Sequence, residues 1–193
     1  SNRAVAEARE LMLASKNLLK PASGEPIISP GKDMVLGVYY LTMDYENAKV
    51  EEGRVFGNIE EVIMAFELGQ LDVHAHIKLR TKTYYDDEGN RLPVAETRII
   101  TTTVGRAIFN DILPEEMQFC NMTLEKGGIR DLIAELYEVS GQDATTEAAD
   151  KIKDIGFKYA TRSGSTLAVA DITVPPEKVA IVQQALLDVE KVQ

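Results

Sequence analysis

KNLLKPASGEPIISPGKDMVLGVYYLT, residues 16–42, joins a helix end to an apolar segment through a turn-rich loop that holds three of the seven prolines. Proline fixes the backbone and glycine frees it, so loop 20–31 is expected to be an ordered, irregular connection that needs other parts of the fold to pack on. After it, Asp33 is placed to cap a short segment through Val35, Leu36, Val38, Tyr39 and Tyr40, which is too apolar to stay in water and should pack inward. Before it, Ala4, Ala8, Leu11, Met12, Ser15, Leu18 and Leu19 recur at helical spacing, predicting an amphipathic helix over 3–19 that stops before Pro21. Arg3 stands where a capping side chain is expected, and the helix pattern needs neither Ser1 nor Asn2.

Residues 44–57 read as a polar stretch. Asn58 with Glu61 three residues on forms a capping box for a helix carrying Ile59, Val62, Ile63 and Phe66, closed by Gly69. From Val73 to Lys82 the chain alternates, with Val73, Ala75, Ile77 and Leu79 on a core face and His74, His76, Lys78, Arg80 and Lys82 on a wet one. A turn at 86–90 and a β-rich run over 97–104 complete an antiparallel hairpin. Ile129, Leu132, Ile133, Leu136 and Tyr137 mark a helix ending near Gly141, and Ala148, Ile152, Ile155 and Tyr159 mark another ending near Gly164. A short strand is predicted over 166–172. Pro175 and Pro176 then suit the first turn of a helix through Val179, Val182, Leu186 and Val189. The fold class is α+β, several helices around a small antiparallel sheet. With no closing Gly, Asn or Pro at Gln193, both ends are expected to be cut through helices of a larger multidomain subunit.

A chain of 193 residues buries roughly 70% of its unfolded surface, enough for a core without staples. Its one cysteine, Cys120, has no partner for a disulfide and no zinc-type cluster around it, which suits a reducing compartment, with the cytoplasm as the default. No apolar run reaches the length of a membrane span, so no membrane partner is expected. A net charge of −10 argues against unaided grip on nucleic acid phosphates, and no large basic face is expected.

Residue chemistry alone assembles no active site. His74 and His76 have the spacing of a metal pair on one strand face, but Lys78 and Arg80 on that face would repel a cation, and a third ligand is missing. Asp86, Asp87 and Glu88 fit a hairpin turn better than a calcium loop, whose acids stand at alternate positions. Cys120, between Phe119 and Met122 in an apolar setting, reads as a buried thiol, and Ser163 lacks the glycines of a nucleophile elbow. No catalytic residue and no metal site are assigned.

Four blocks, in order along nearly the whole chain, resemble the β′ family, the largest catalytic subunit of bacterial RNA polymerase. They are Ala8 to Ser15 with Pro21-Ala22-Ser23-Gly24-Glu25-Pro26-Ile27-Ile28, then Asp33 to Thr42, then Thr102-Thr103-Val104-Gly105-Arg106, and lastly 156–164 running on to Asp171 and Pro175. The resemblance implies a DNA-directed RNA polymerase, a nucleotidyltransferase, in which this piece forms the pore domain beside the secondary channel that admits nucleotides and passes a backtracked RNA 3′ end. It further implies a helix over 1–20 following the catalytic metal loop, a pore domain over 21–173 and the start of a funnel helix over 174–193. The implied partners are the β, α, ω and σ subunits, with template DNA, RNA and nucleoside triphosphates in the assembled enzyme.

In that family two magnesium ions are held by an aspartate loop, and no Asp-x-Asp-x-Asp occurs here, so this piece is expected to hold no cofactor and to be inert alone. Glu25, Lys32 and Asp33 are the implied channel residues. Where the bacterial family shows Pro-Ser-Gln-Asp, this chain has Pro30-Gly31-Lys32-Asp33, so an amide becomes an ammonium able to attract nucleotide phosphates as a point charge. The acidic balance is compatible with a surface lining a route for magnesium-bound nucleotides. A stand-alone regulatory or binding module sharing the pore-domain fold is the alternative. Apolar surface around 35–41, left bare in isolation, predicts self-association.

Overall fold

The computed structural model describes residues 1–45, 50–85, 91–166 and 168–192, and the chain divides into two compact units, Ser1–Ser163 and Gly164–Gln193. The predicted turn at 86–90 lies outside the described residues.

The first unit is built on α2 (Asp33–Thr42), whose Val38 and Leu41 are fully buried as its apolar run requires. Asp33 does not cap it. The cap position is Lys32, which has φ +52°, ψ −120° and offers no side-chain hydrogen bond, while Asp33 lies exposed in the first turn, where its charge suits the helix dipole. At the other end Thr42 Oγ1 donates to Val38 O at 2.8 Å and accepts from Leu124 N at 2.9 Å.

Three strands follow the order β1-β2-β3: β1 (Val50–Phe56), β2 (His76–Tyr85) and β3 (Arg91–Thr103). The expected hairpin is present, β2 and β3 pairing antiparallel from His76↔Thr103 to Thr83↔Glu96. A third strand joins it inside the segment read as merely polar: β1 runs parallel to β2, with Val55↔Lys78 and Phe56↔Leu79 in register. The α+β class holds with a mixed sheet. Alternation places Ala75, Ile77 and Leu79 in the core, while Lys78, Arg80 and Lys82 stay exposed. Where the ladder slips between Thr83 and Tyr85, the Gln118 side chain fills the gap: its Oε1 accepts from Tyr84 N at 2.7 Å and its Nε2 donates to Thr83 Oγ1 at 3.0 Å.

Helix α3 (Ile59–Glu67) starts and stops as its sequence dictates. Asn58 Oδ1 accepts from Glu61 N at 2.8 Å, and the Glu61 carboxylate accepts from Gly57 N at 2.8 Å. Gly69, at φ +70°, ends it through Gly69 N to Phe66 O and Gln70 N to Ala65 O, both 3.0 Å. We expect Asn58→Ala to lower stability by about 1 kcal/mol in urea denaturation, since it removes the acceptor for Glu61 N. Helix α4 (Val104–Asn110), entirely buried, has its first donors taken by the chain before β2: Val104 N reaches Ala75 O at 3.1 Å and Gly105 N reaches Val73 O at 2.7 Å. Helix α5 (Lys126–Ser163) has two arms that meet at Gly141 (φ +77°, ψ −175°), and Gly164 follows its end at φ +59°. Its buried stripe, Ile129, Ile133, Leu136, Ile152 and Tyr159, closes the core over α2.

The long N-terminal helix breaks up. α1 (Asn2–Glu7) continues as a π-helical turn over Ala8–Met12, Leu13 is extended, and a single 3-10 turn, Ala14–Lys16, follows. Asn17 Nδ2 donates to Leu11 O at 2.9 Å and Leu13 O at 3.1 Å, taking the carbonyls a continuing helix would use, and residues 1–14 are exposed, so packing offers no compensation. Ser1 does have a role: its Oγ accepts from Ala4 N at 3.3 Å, which is the cap that Arg3 cannot supply, and Asn2 is the first helical residue.

In the second unit no strand forms over the described residues of 166–172. Asp171 Oδ2 accepts from Ala168 N at 2.8 Å and closes a 3-10 turn over Val169–Asp171, a local hydrogen bond replacing a sheet partner. Helix α6 (Lys178–Val192) follows Pro175 and Pro176 as expected.

Candidate functional site

Glycines let α2 sit closer to its neighbours than side chains allow. A Cβ on Gly37 would stand 1.7 Å from Gly156 O of α5, one on Gly156 would stand 2.7 Å from Met34 O, and one on Gly105 of α4 would stand 1.9 Å from Leu41 O. These are backbone contacts with no flexible end to move aside. Helix α2 is therefore clamped on two sides, and the turn at its N-terminus, Gly31-Lys32-Asp33, is carried on a fixed element.

Lys32 and Asp33 project from that turn, both exposed and neither in an ion pair among the described residues. Lys32 is the sole described non-glycine residue with positive φ. Met34 N bonds Gly31 O at 3.2 Å and Leu36 N bonds Lys32 O at 3.0 Å, which holds the turn in that strained state. Glu25 sits on a second turn. Lys20 N donates to Glu25 O at 2.8 Å and Gly24 N to Lys20 O at 2.9 Å, a bridge joins Leu19 to Pro26, and Leu18 and Pro26 bury beside Ile133 and Tyr137. This is the packing the proline-rich loop requires. Lys20 Nζ lies 3.0 Å from Glu25 Oε2, and its hydrogen bond and charge hold the Glu25 carboxyl below its ordinary range. Glu25 is thus engaged with Lys20 and forms no direct contact with Lys32 or Asp33.

A buried hub supports α2 from below. Arg106 of α4, 9% exposed, donates from Nε to Thr42 O at 3.0 Å, from one terminal nitrogen to Thr123 Oγ1 at 3.3 Å and from the other to Asn121 Oδ1 at 3.5 Å. Asp44 Oδ2 lies 3.9 Å from it, and Asp44 Oδ1 lies 3.0 Å from His76 Nε2. Reading the sequence left Arg106 without a role. Its burial follows from the all-core helix around it, and its only local signal is a cation set between Gly105 and the apolar run Ala107-Ile108-Phe109.

His74 departs from the wet face assigned to it. It is 9% exposed, its Nε2 stands 2.7 Å from Tyr40 O, and the Tyr40 ring meets it edge-on at 4.8 Å, because it lies before β2 begins and under the end of α2. The two histidines therefore face different partners, Tyr40 and Asp44. Half-buried Cys120 has a thiol pushed up by burial, which depletes thiolate, and its backbone N is tied to Asn110 Oδ1 at 2.7 Å. Ser163 Oγ donates to Ala160 O at 2.8 Å at the end of α5. Among the described residues no three His, Cys, Asp or Glu side chains converge as a metal site, and no helix is long and apolar enough to cross a membrane.

The family model described as RNA polymerase Rpb1, domain 3, matches residues 17–172. DNA-directed RNA polymerase subunit beta′ of Sulfurihydrogenibium sp. is 41% identical over 186 residues, covering 96% of this chain and 11% of that protein. The subunit of the same name from Dehalococcoides mccartyi is 44% identical over 185 residues, 96% of this chain and 13% of that protein. That of Thermobifida fusca is 41% identical over 204 aligned positions, 100% of this chain and 15% of that protein. The chain thus spans 11% to 15% of the length of these relatives.

Proposed function

This chain belongs to the RNA polymerase Rpb1 domain 3 family, and from that premise we propose that it is the pore segment of a bacterial β′ subunit. It acts within DNA-directed RNA polymerase in the cytoplasm, beside the β, α, ω and σ subunits, with template DNA, RNA and nucleoside triphosphates passing through the assembly. Residues 21–173 border the secondary channel, 1–20 follow the metal loop of the parent, and 174–193 begin the funnel. In this reading magnesium belongs to the aspartate loop of the parent enzyme, since no Asp-x-Asp-x-Asp occurs in this sequence. This piece supplies a wall and its support.

One observation carries the channel role: Lys32, an unpaired ammonium, is held at φ +52° on the clamped helix α2. A lysine kept where glycine is at ease costs about 1–3 kcal/mol, a cost that persists at positions whose side chain has a use. The ammonium draws nucleotide phosphates toward the channel by simple charge, with the adjacent Asp33 limiting its reach.

Two substitutions separate charge from backbone. In polymerase reconstituted with a β′ subunit carrying this segment, Lys32→Gln should raise the apparent KM for nucleotides about 2–5-fold at low salt with kcat unchanged, an effect that fades as salt screens it. In the 193-residue chain, Lys32→Gly should raise stability by about 1 kcal/mol through relief of the positive φ. An unaltered KM at low ionic strength would remove Lys32 from the channel reading.

A further inference from the structure

The solvent face of the sheet carries a row of cations that the described residues leave without an ion pair. Lys78, Arg80 and Lys82 stand at alternate positions of β2, about 7 Å apart along the strand, and all three are exposed. Across the ladder they meet Thr101, Ile99 and Thr97 of β3, and Val55 of β1 stands beside Lys78, so the row is bordered by hydroxyls and two exposed apolar side chains. Ile99 is 59% exposed and Val55 49%. Although the chain has a net charge of −10, none of the three forms an ion pair or side-chain hydrogen bond among the described residues. The neighbouring cleft shares Arg80 and Lys82 with Glu60, Asp111 and Glu115, yet none of these acids comes within ion-pair distance of either cation. Three like charges in a row on an acidic protein repel one another, a cost that an opposite charge from outside would reverse.

We propose that this face is a docking surface for an acidic, extended segment of a separate protein, with carboxylates at every second residue over Lys78, Arg80 and Lys82 and small apolar residues over Ile99 and Val55. The spacing matches because a bound strand has the same two-residue repeat as β2. A nucleic acid strand is the poorer occupant. His76 and Tyr84, at the two ends of the same alternation, are each partly covered and offer little for base stacking, whereas the exposed Ile99 and Val55 beside the row suit aliphatic side chains that a phosphate chain lacks. This inference stands apart from the channel reading, because it concerns the sheet face and not the Lys32 turn.

The test uses the 193-residue chain and a labelled nine-residue peptide in which Glu alternates with Val, followed by fluorescence anisotropy. Saturable binding is expected, weakened at least about tenfold between about 20 mM and 200 mM NaCl, as screening of exposed charges requires. The triple variant Lys78→Gln, Arg80→Gln, Lys82→Gln, folded by far-UV circular dichroism, should lose at least about tenfold in affinity. Ile99→Ser, which leaves every charge in place, should lose about threefold through the apolar contact alone. Equal binding by the triple variant, equal binding of a Gln–Val peptide, tighter binding of an oligothymidylate than of the acidic peptide, or no saturable binding would each overturn the proposal.

Discussion

Gly37→Ala is expected to lower the stability of the chain by about 3 kcal/mol or more, because the new methyl would lie 1.7 Å from Gly156 O and neither backbone can withdraw without parting α2 from α5. For a domain of this size that corresponds to a fall in Tm of about 6–12 °C. Overpacking against a side chain is often relieved by a rotamer change, but a carbonyl inside a helix has no such freedom. The matched control is Gly127→Ala in the first turn of α5, where the added Cβ meets nothing within 4 Å and better helix propensity should leave stability unchanged or raise it by up to about 1 kcal/mol. Thermal melts followed by circular dichroism decide between these outcomes. Variants with the same midpoint would mean that the close approach of α2 and α5 is not a feature of the folded chain.

Arg106→Met is expected to cost about 2–4 kcal/mol although it keeps most of the volume, since it strips the donor from Thr42 O and unties Asn121 and Thr123. Thr42 O keeps only a 3.4 Å contact from Thr123 Oγ1. Charge is the smaller part of the effect. Asp44 is 3.9 Å away and half exposed, so its attraction is weakened by solvent, and the fork geometry of the guanidinium matters more than its sign. Arg106→Lys should therefore recover less than half of the loss in urea denaturation. A lysine variant as stable as the parent chain would show that a point charge suffices and that the hydrogen-bonded fork does not hold α4 to the end of α2.

Features set by neighbours in sequence were legible in advance. Asn58 and Glu61 cap α3 because the donors they satisfy are three and four residues away, Gly141 and Gly164 end helices because few other residues adopt their φ, and the alternation from Ile77 to Lys82 sorts core from solvent. Features set by partners far along the chain were not. β1 carries too few alternating apolar residues to announce itself and exists by pairing with β2. His74 is buried by Tyr40, 34 residues earlier, and Arg106 by Thr42, 64 residues earlier. The N-terminal helix fails through Asn17, a single side chain competing for two carbonyls against periodicity that covers seventeen residues. Glu25, Lys32 and Asp33, which we propose for the channel wall, came from resemblance and not from residue chemistry. What resemblance could not supply was the positive φ of Lys32, which belongs to the turn and not to the residue type.

The Gln118 amide meets the hairpin where its register slips. A one-residue shift of register within a strand pair flips every side chain along it to the other face. Here the amide occupies the slip between Thr83 and Tyr85, where the regular ladder from His76 to Thr83 ends. The pairing from His76 to Thr83 therefore ends on a side-chain anchor that comes from outside the sheet.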